Sequence, residues 1–113
     1  MEKITEKICK VLSDKKAENI CVIDIGSQSV IADYFIICSG SSTIQTKAIC
    51  EHLEEEMEKD KIFVSRKEGL ADGRWIVLDY TDIIVHIFLN EEREFYNIEK
   101  LWTNGNNMTV YSD

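Results

Sequence analysis

Proline is absent from the 113-residue chain, and glycine occurs only five times. No proline-stiffened or glycine-rich linker marks a boundary between domains, and this length suits one hydrophobic core. The four cysteines, Cys9, Cys21, Cys38 and Cys50, form no Cys-x-x-Cys pair, and only His52 and His86 could add nitrogen ligands. A structural zinc site needs four convergent ligands at short spacings, so no metal or other cofactor is expected and the cysteines read as buried free thiols. No segment reaches the about eighteen apolar residues of a membrane span. The leading MEKITEKICKVL carries charge throughout and lacks a small-residue cleavage site, so a cytoplasmic protein is expected rather than a secreted one. Basic residues are also scarce, 13 against 21 acidic, giving a net charge of −8. That balance would repel a phosphate backbone, which disfavours direct nucleic-acid binding and suits a basic protein partner.

The hydrophobic pattern predicts an α/β domain. Ile4, Ile8, Val11 and Leu12 recur at helical spacing, whereas Asn19 to Ile25 and Asp33 to Ser39 are nearly continuous β-branched and apolar runs, as in strands covered on both faces. Ser42 and Gln45 have capping-box spacing, so a main helix is expected there, with Ile44, Ala48, Ile49, Leu53 and Met57 as its apolar stripe and a glutamate-rich outer face. Ile62 to Ser65 reads as a short strand and Lys67 to Gly73 as a polar loop. Arg74 to Leu78 and Ile83 to Leu89 flank the quartet Asp79-Tyr80-Thr81-Asp82, the pattern of an antiparallel hairpin. Asn90 is expected to cap a final helix with Phe95, Ile98, Leu101 and Trp102 on its apolar side, and residues 103–113 read as a flexible tail. The sum is a single domain with a mixed sheet of about five strands flanked by helices.

Residues able to carry chemistry are few. Asp24, Asp33, Asp79 and Asp82 could hold magnesium if they converged, but no Asp-x-Asp pair places two acids on one strand face. Turn capping accounts for them better. Ser39-Gly40-Ser41-Ser42 precedes a helix and could cradle a phosphate, yet it lacks the lysine and spacing of a P-loop. His86 sits within an apolar strand with no catalytic partner nearby in sequence. Aromatic side chains gather late in the chain, with Trp75, Tyr80, Phe95, Tyr96 and Trp102 accompanying Glu91, Glu92, Arg93 and Glu94. Such residues anchor protein interfaces, and they also fill cores. The residues alone therefore describe an acidic α/β module whose partner they do not name.

Longer strings go further. Ile31-Ala32-Asp33-Tyr34-Phe35-Ile36-Ile37-Cys38-Ser39-Gly40-Ser41-Ser42, Gly73 to Tyr80 (GRWIVLDY), Val85-His86-Ile87-Phe88 and Glu92 to Trp102 (EREFYNIEKLW) closely resemble the ribosomal silencing factor family, also called Iojap-related, in order and spacing across about residues 3 to 102. The resemblance implies a fold like that of nucleotidyltransferases without their catalytic carboxylates, and hence no enzyme. It implies binding to the large ribosomal subunit through ribosomal protein fourteen, a steric block to subunit association, and repression of translation under nutrient limitation. It also implies a homodimer in the free state. The matching strings nominate Trp75, Asp79, Tyr80, Asp82, His86, Glu92, Arg93 and Tyr96 as the contact face. Two other classes stay open: a magnesium-dependent nucleotidyltransferase, and a homodimeric adaptor unrelated to the ribosome.

Overall fold

A computed structural model describes residues 2–112. Helix α1 (Glu2–Asp14) leads to strands β1 (Glu18–Asp24) and β2 (Tyr34–Gly40), helix α2 (Thr43–Lys59), strands β3 (Arg66–Glu68), β4 (Trp75–Asp79) and β5 (Ile83–Leu89), helices α3 (Asn90–Tyr96) and α4 (Ile98–Trp102), and strand β6 (Met108–Val110). The six strands form one mixed sheet in the order β3-β4-β5-β2-β1-β6. Only β2 and β5 run parallel; every other neighbouring pair is antiparallel. The two apolar runs early in the sequence are direct antiparallel neighbours, and β2 and β5 are buried along almost their whole length because they occupy the sheet centre.

Alternating side chains divide the sheet into two faces. On one, α1 and α2 bury Ile8, Leu12, Ile49, Leu53 and Met57 against Ile36, Ile76, Leu78, Val85 and Ile87. On the other, Cys21, Ile23, Phe35, Ile37 and Phe88 form a second apolar cluster with Ile98 of α4, and Trp75, Ile84 and Trp102 pack at its margin. All four cysteines are buried and unpaired.

Helix α2 starts as its sequence predicts. Ser42 Oγ accepts from Gln45 N at 3.1 Å, and Gln45 Oε1 accepts from Ser41 N at 2.8 Å, so two amides at the helix start are satisfied reciprocally. The buried stripe has a different phase from the expected one. Thr46, Ile49, Cys50, Leu53 and Met57 face inward, whereas Ala48 is exposed and Ile44 is 81% exposed. Thr46 wins the inward position because its Oγ1 donates to Gly73 O at 2.6 Å, fixing the β3–β4 loop to the helix. Within that loop a Cβ on Gly69 would stand 1.9 Å from Trp75 O, so only glycine fits its φ of 84°.

Four further expectations are corrected. Residues 62–65 form no strand; the pairing moves to the charged Arg66–Glu68, an edge strand whose three side chains are exposed. The final helix breaks at Asn97, which takes the left-handed conformation (φ 43°) and restarts the chain as α4. That break changes the helical phase, so Ile98 is buried while Phe95 and Leu101, expected on the apolar side, are exposed. Asn90 does not cap α3; its Nδ2 donates to Glu18 Oε1 at 3.2 Å, and Leu89 occupies the cap position without a side-chain bond. Lastly, the presumed tail completes the sheet, with Met108, Thr109 and Val110 paired against Ile23, Val22 and Cys21. Asn107 secures it by donating through Nδ2 to Asp24 O and to Trp102 O, each at 2.9 Å.

Candidate functional site

The second sheet face is covered only in part. Alternation puts Trp75, Val77 and Asp79 of β4 beside Phe88, His86 and Ile84 of β5, in that register, and the α3–α4 segment crosses one end of them. The result is an aromatic group at the rim of the cluster. Trp75 stacks on Phe88 with ring centroids 4.7 Å apart and meets Tyr96 of α3 at 4.9 Å. Phe35 lies edge-on to His86 at 4.6 Å and to Trp102 at 5.2 Å. Beside this group the α3–α4 segment exposes three apolar side chains: Phe95 is 80% exposed, Leu101 75% and Tyr96 47%. Single exposed apolar residues are ordinary, but three within residues 95–101, beside a half-buried tryptophan, make a patch of the kind found at interfaces.

His86 is a buried member of this group. Trp75 Nε1 donates to its Nδ1 at 3.1 Å, which fixes the neutral ring with its proton on Nε2. Nε2 is buried without a hydrogen-bond partner. Burial pushes the His86 pKa down to about 4, because a charged imidazolium would have to be desolvated among Phe35, Trp75 and Phe88.

The remaining nominated residues separate. Asp79 shares the Trp75 face by alternation, and its Oδ1 accepts from Thr81 N at 2.7 Å within the β4–β5 turn. Asp82 is exposed in the same turn, its carbonyl accepting from Asp33 N and Tyr34 N. Tyr80 lies on the opposite side, packed against the α1–α2 core with its hydroxyl buried and unpartnered, and burial raises its pKa. Glu92 is half-buried and pairs with Arg74 at 3.5 Å. Arg93 points inward, where Nε donates to Glu99 Oε2 at 2.9 Å and Nη1 and Nη2 lie within 3.3 to 3.8 Å of Ser39 Oγ, Glu18 O and Cys21 Sγ. Trp75, His86 and Tyr96 therefore come together, Asp79 and Asp82 sit farther along the hairpin, and Tyr80 faces away. Phe95 and Leu101 belong to the surface but were assigned to the core by periodicity; the signal that could have found them is Asn97, a residue that tolerates left-handed backbone and so can end a helix.

Among the described residues no three His, Cys, Asp or Glu side chains form a group able to hold a metal ion. Two of the amides at the start of α2 that could have faced a phosphate are already bonded, Ser41 N to Gln45 Oε1 and Gln45 N to Ser42 Oγ. Cys9 and Cys50 are pushed up to about 12 and about 11, chiefly by burial, so they are thiols at neutral pH. No helix among the described residues is long and apolar enough to cross a membrane.

Fold and site together define a single α/β domain with a mixed six-stranded sheet and an aromatic, partly open face. A family described as "Ribosomal silencing factor during starvation" matches residues 1–112, and the chain belongs to that family. The ribosomal silencing factor of Bacillus subtilis is 42% identical over 89 residues, covering 79% of this chain and 75% of that protein. Its counterpart in Halalkalibacterium halodurans is 37% identical over 101 residues, covering 89% and 86%. A crystal structure of a protein from Bacillus halodurans superposes with a TM-score of 0.82 at 34% identity, covering 90% of this chain and 95% of that one. The match through residue 112 includes β6, which agrees with its place in the sheet.

Proposed function

We propose that this protein binds the large ribosomal subunit through ribosomal protein fourteen and sterically blocks subunit association, repressing translation when nutrients are limiting. Membership of the silencing factor family supports a ribosome-associated role. The observation that carries the rest is the apolar patch of Phe95, Tyr96 and Leu101 beside Trp75 on a chain of net charge −8. Aromatic anchors supply affinity at such a surface, and the surrounding acids steer a basic partner toward it.

In this reading Trp75 and Tyr96 make the central contacts, Asp79, Asp82 and Glu92 supply charge at the margin, and His86 and Arg93 act from beneath. Tyr80 contributes through the hairpin rather than by touching the partner. The free protein is a cytoplasmic homodimer that uses part of the same face, so partner and second copy compete. The reading is tested by sedimenting the purified protein with separate ribosomal subunits at a magnesium concentration that permits joining. Co-migration with the large subunit and fewer joined ribosomes are expected, and Tyr96→Ala and Asp82→Arg should weaken both effects. No co-migration and normal joining would sink it.

A further inference from the structure

Helix α3 carries the exposed aromatics, yet none of its seven residues is buried. A helix of this length has no independent stability and normally borrows it from a buried apolar stripe. Here polar contacts replace that stripe. The Arg93 side chain is only 13% exposed, and its guanidinium reaches three other elements: Glu99 on α4, the Glu18 carbonyl on β1, and Ser39 on β2. The β1 bulge makes this possible. The register shifts between Glu18 and Cys21, with Asn19 at φ 51°, and a bulge of this kind turns a strand carbonyl out of its ladder and toward a side chain. The planar guanidinium with five donors can serve several acceptors at once, which a lysine ammonium at the end of a flexible stem does less well. The other ties of α3 are lighter: Asn90 to Glu18, the exposed Arg74 to Glu92, and the Tyr96 ring against Trp75.

We propose that Arg93 is a positioning residue, an inward latch that holds α3 and α4 on the sheet and so presents Phe95, Tyr96 and Leu101 in a preformed docking face. This rests on the proposed ribosome-binding role of that face, and it reassigns Arg93 from contact to support. Preforming a face removes the ordering cost that a loose helix would add to each binding event.

The test compares wild type, Arg93→Ala and Arg93→Lys by hydrogen exchange resolved to segments, and by large-subunit binding across a range of salt concentrations, well below the unfolding temperature. For Arg93→Ala, amide exchange across residues 90–102 is expected to quicken at least tenfold while residues 34–40 and 83–89 keep their protection. Binding is expected to weaken at least tenfold with its salt dependence unchanged, since no charge at the contact is removed; Arg93→Lys should fall between. If Arg93→Ala does not fold, the lysine variant carries the same comparison. Weakened binding with unchanged exchange, or a flatter salt dependence, would make Arg93 a direct contact and overturn the latch. Wild-type exchange and binding in a folded variant would overturn it as well. Should the wild type not bind the large subunit, the docking role fails while the exchange comparison still decides whether Arg93 holds α3.

Discussion

Acid should unfold this protein partly through one side chain. Burial holds the His86 pKa down to about 4 in the folded state, against the 6.5 of an imidazole in water. The folded state therefore binds fewer protons than the unfolded state between these values, so stability rises with pH across the window. The contribution is fully present above about 6.5 and is lost as pH falls toward 4. Integrating the linkage relation from pH 7.5 to 4.5 gives a loss of about 2.5 kcal/mol, on the order of 10 °C in Tm for a domain of this size. Carboxylates also titrate in this range, so the comparison that isolates His86 is with His86→Phe. Phenylalanine keeps a ring among Phe35, Trp75 and Phe88 and removes the titration; it also removes the acceptor of Trp75 Nε1, a cost that does not change with pH and so cancels in the comparison. Urea unfolding of both proteins at pH 7.5 and 4.5 should show the wild type losing about 2.5 kcal/mol more than the variant. Equal losses, or a His86 ring that titrates near 6.5 by NMR, would refute the burial argument.

Three other outcomes follow from the packing. Tyr80→Phe removes a hydroxyl that is buried without a partner, so stability should be unchanged or rise by about 1 kcal/mol, read as a higher Tm. Asn107→Ala deletes the bonds to Asp24 O and Trp102 O that fix β6, and should cost about 1–2 kcal/mol in urea unfolding, whereas a frayed tail would show no change. Leu53→Ala in the fully buried stripe of α2 should cost about 2–5 kcal/mol, while Ile44→Ala on the same helix should stay within about 0.5 kcal/mol. Reversal of that last order would mean that the helix has the other phase.

The strong elements were legible because their periodicity and burial agree. The β4–β5 hairpin, the two central strands and the α2 start follow directly from alternation, continuous apolar runs and the Ser42–Gln45 capping pattern. Where sequence reading failed, a tertiary contact outweighed the local pattern. Thr46 took a core place from Ile44 because it bonds the β3–β4 loop, and the exposed Arg66–Glu68 pairs as a strand because an edge needs only one neighbour and no buried face. Strand β6 is too short to signal itself and is recruited by the free edge of β1. For the candidate site, the string containing Trp75, His86 and Tyr96 was readable, but the sides they occupy were not. Period-two alternation says that Tyr80 and Asp79 differ in face without saying which is outward, and the inward turn of Arg93 is made to acceptors far away in sequence, among them Glu18 O on β1 and Ser39 Oγ on β2.

Strand β6 also sets an order of events in the life of the chain. Its partner, β1, is made some eighty residues before it, so the sheet cannot close until Met108–Val110 have been added. A nascent chain stopped short of residue 108 would hold a bare strand edge, which invites pairing with other chains. The fold is complete only once Met108–Val110 can reach back to β1.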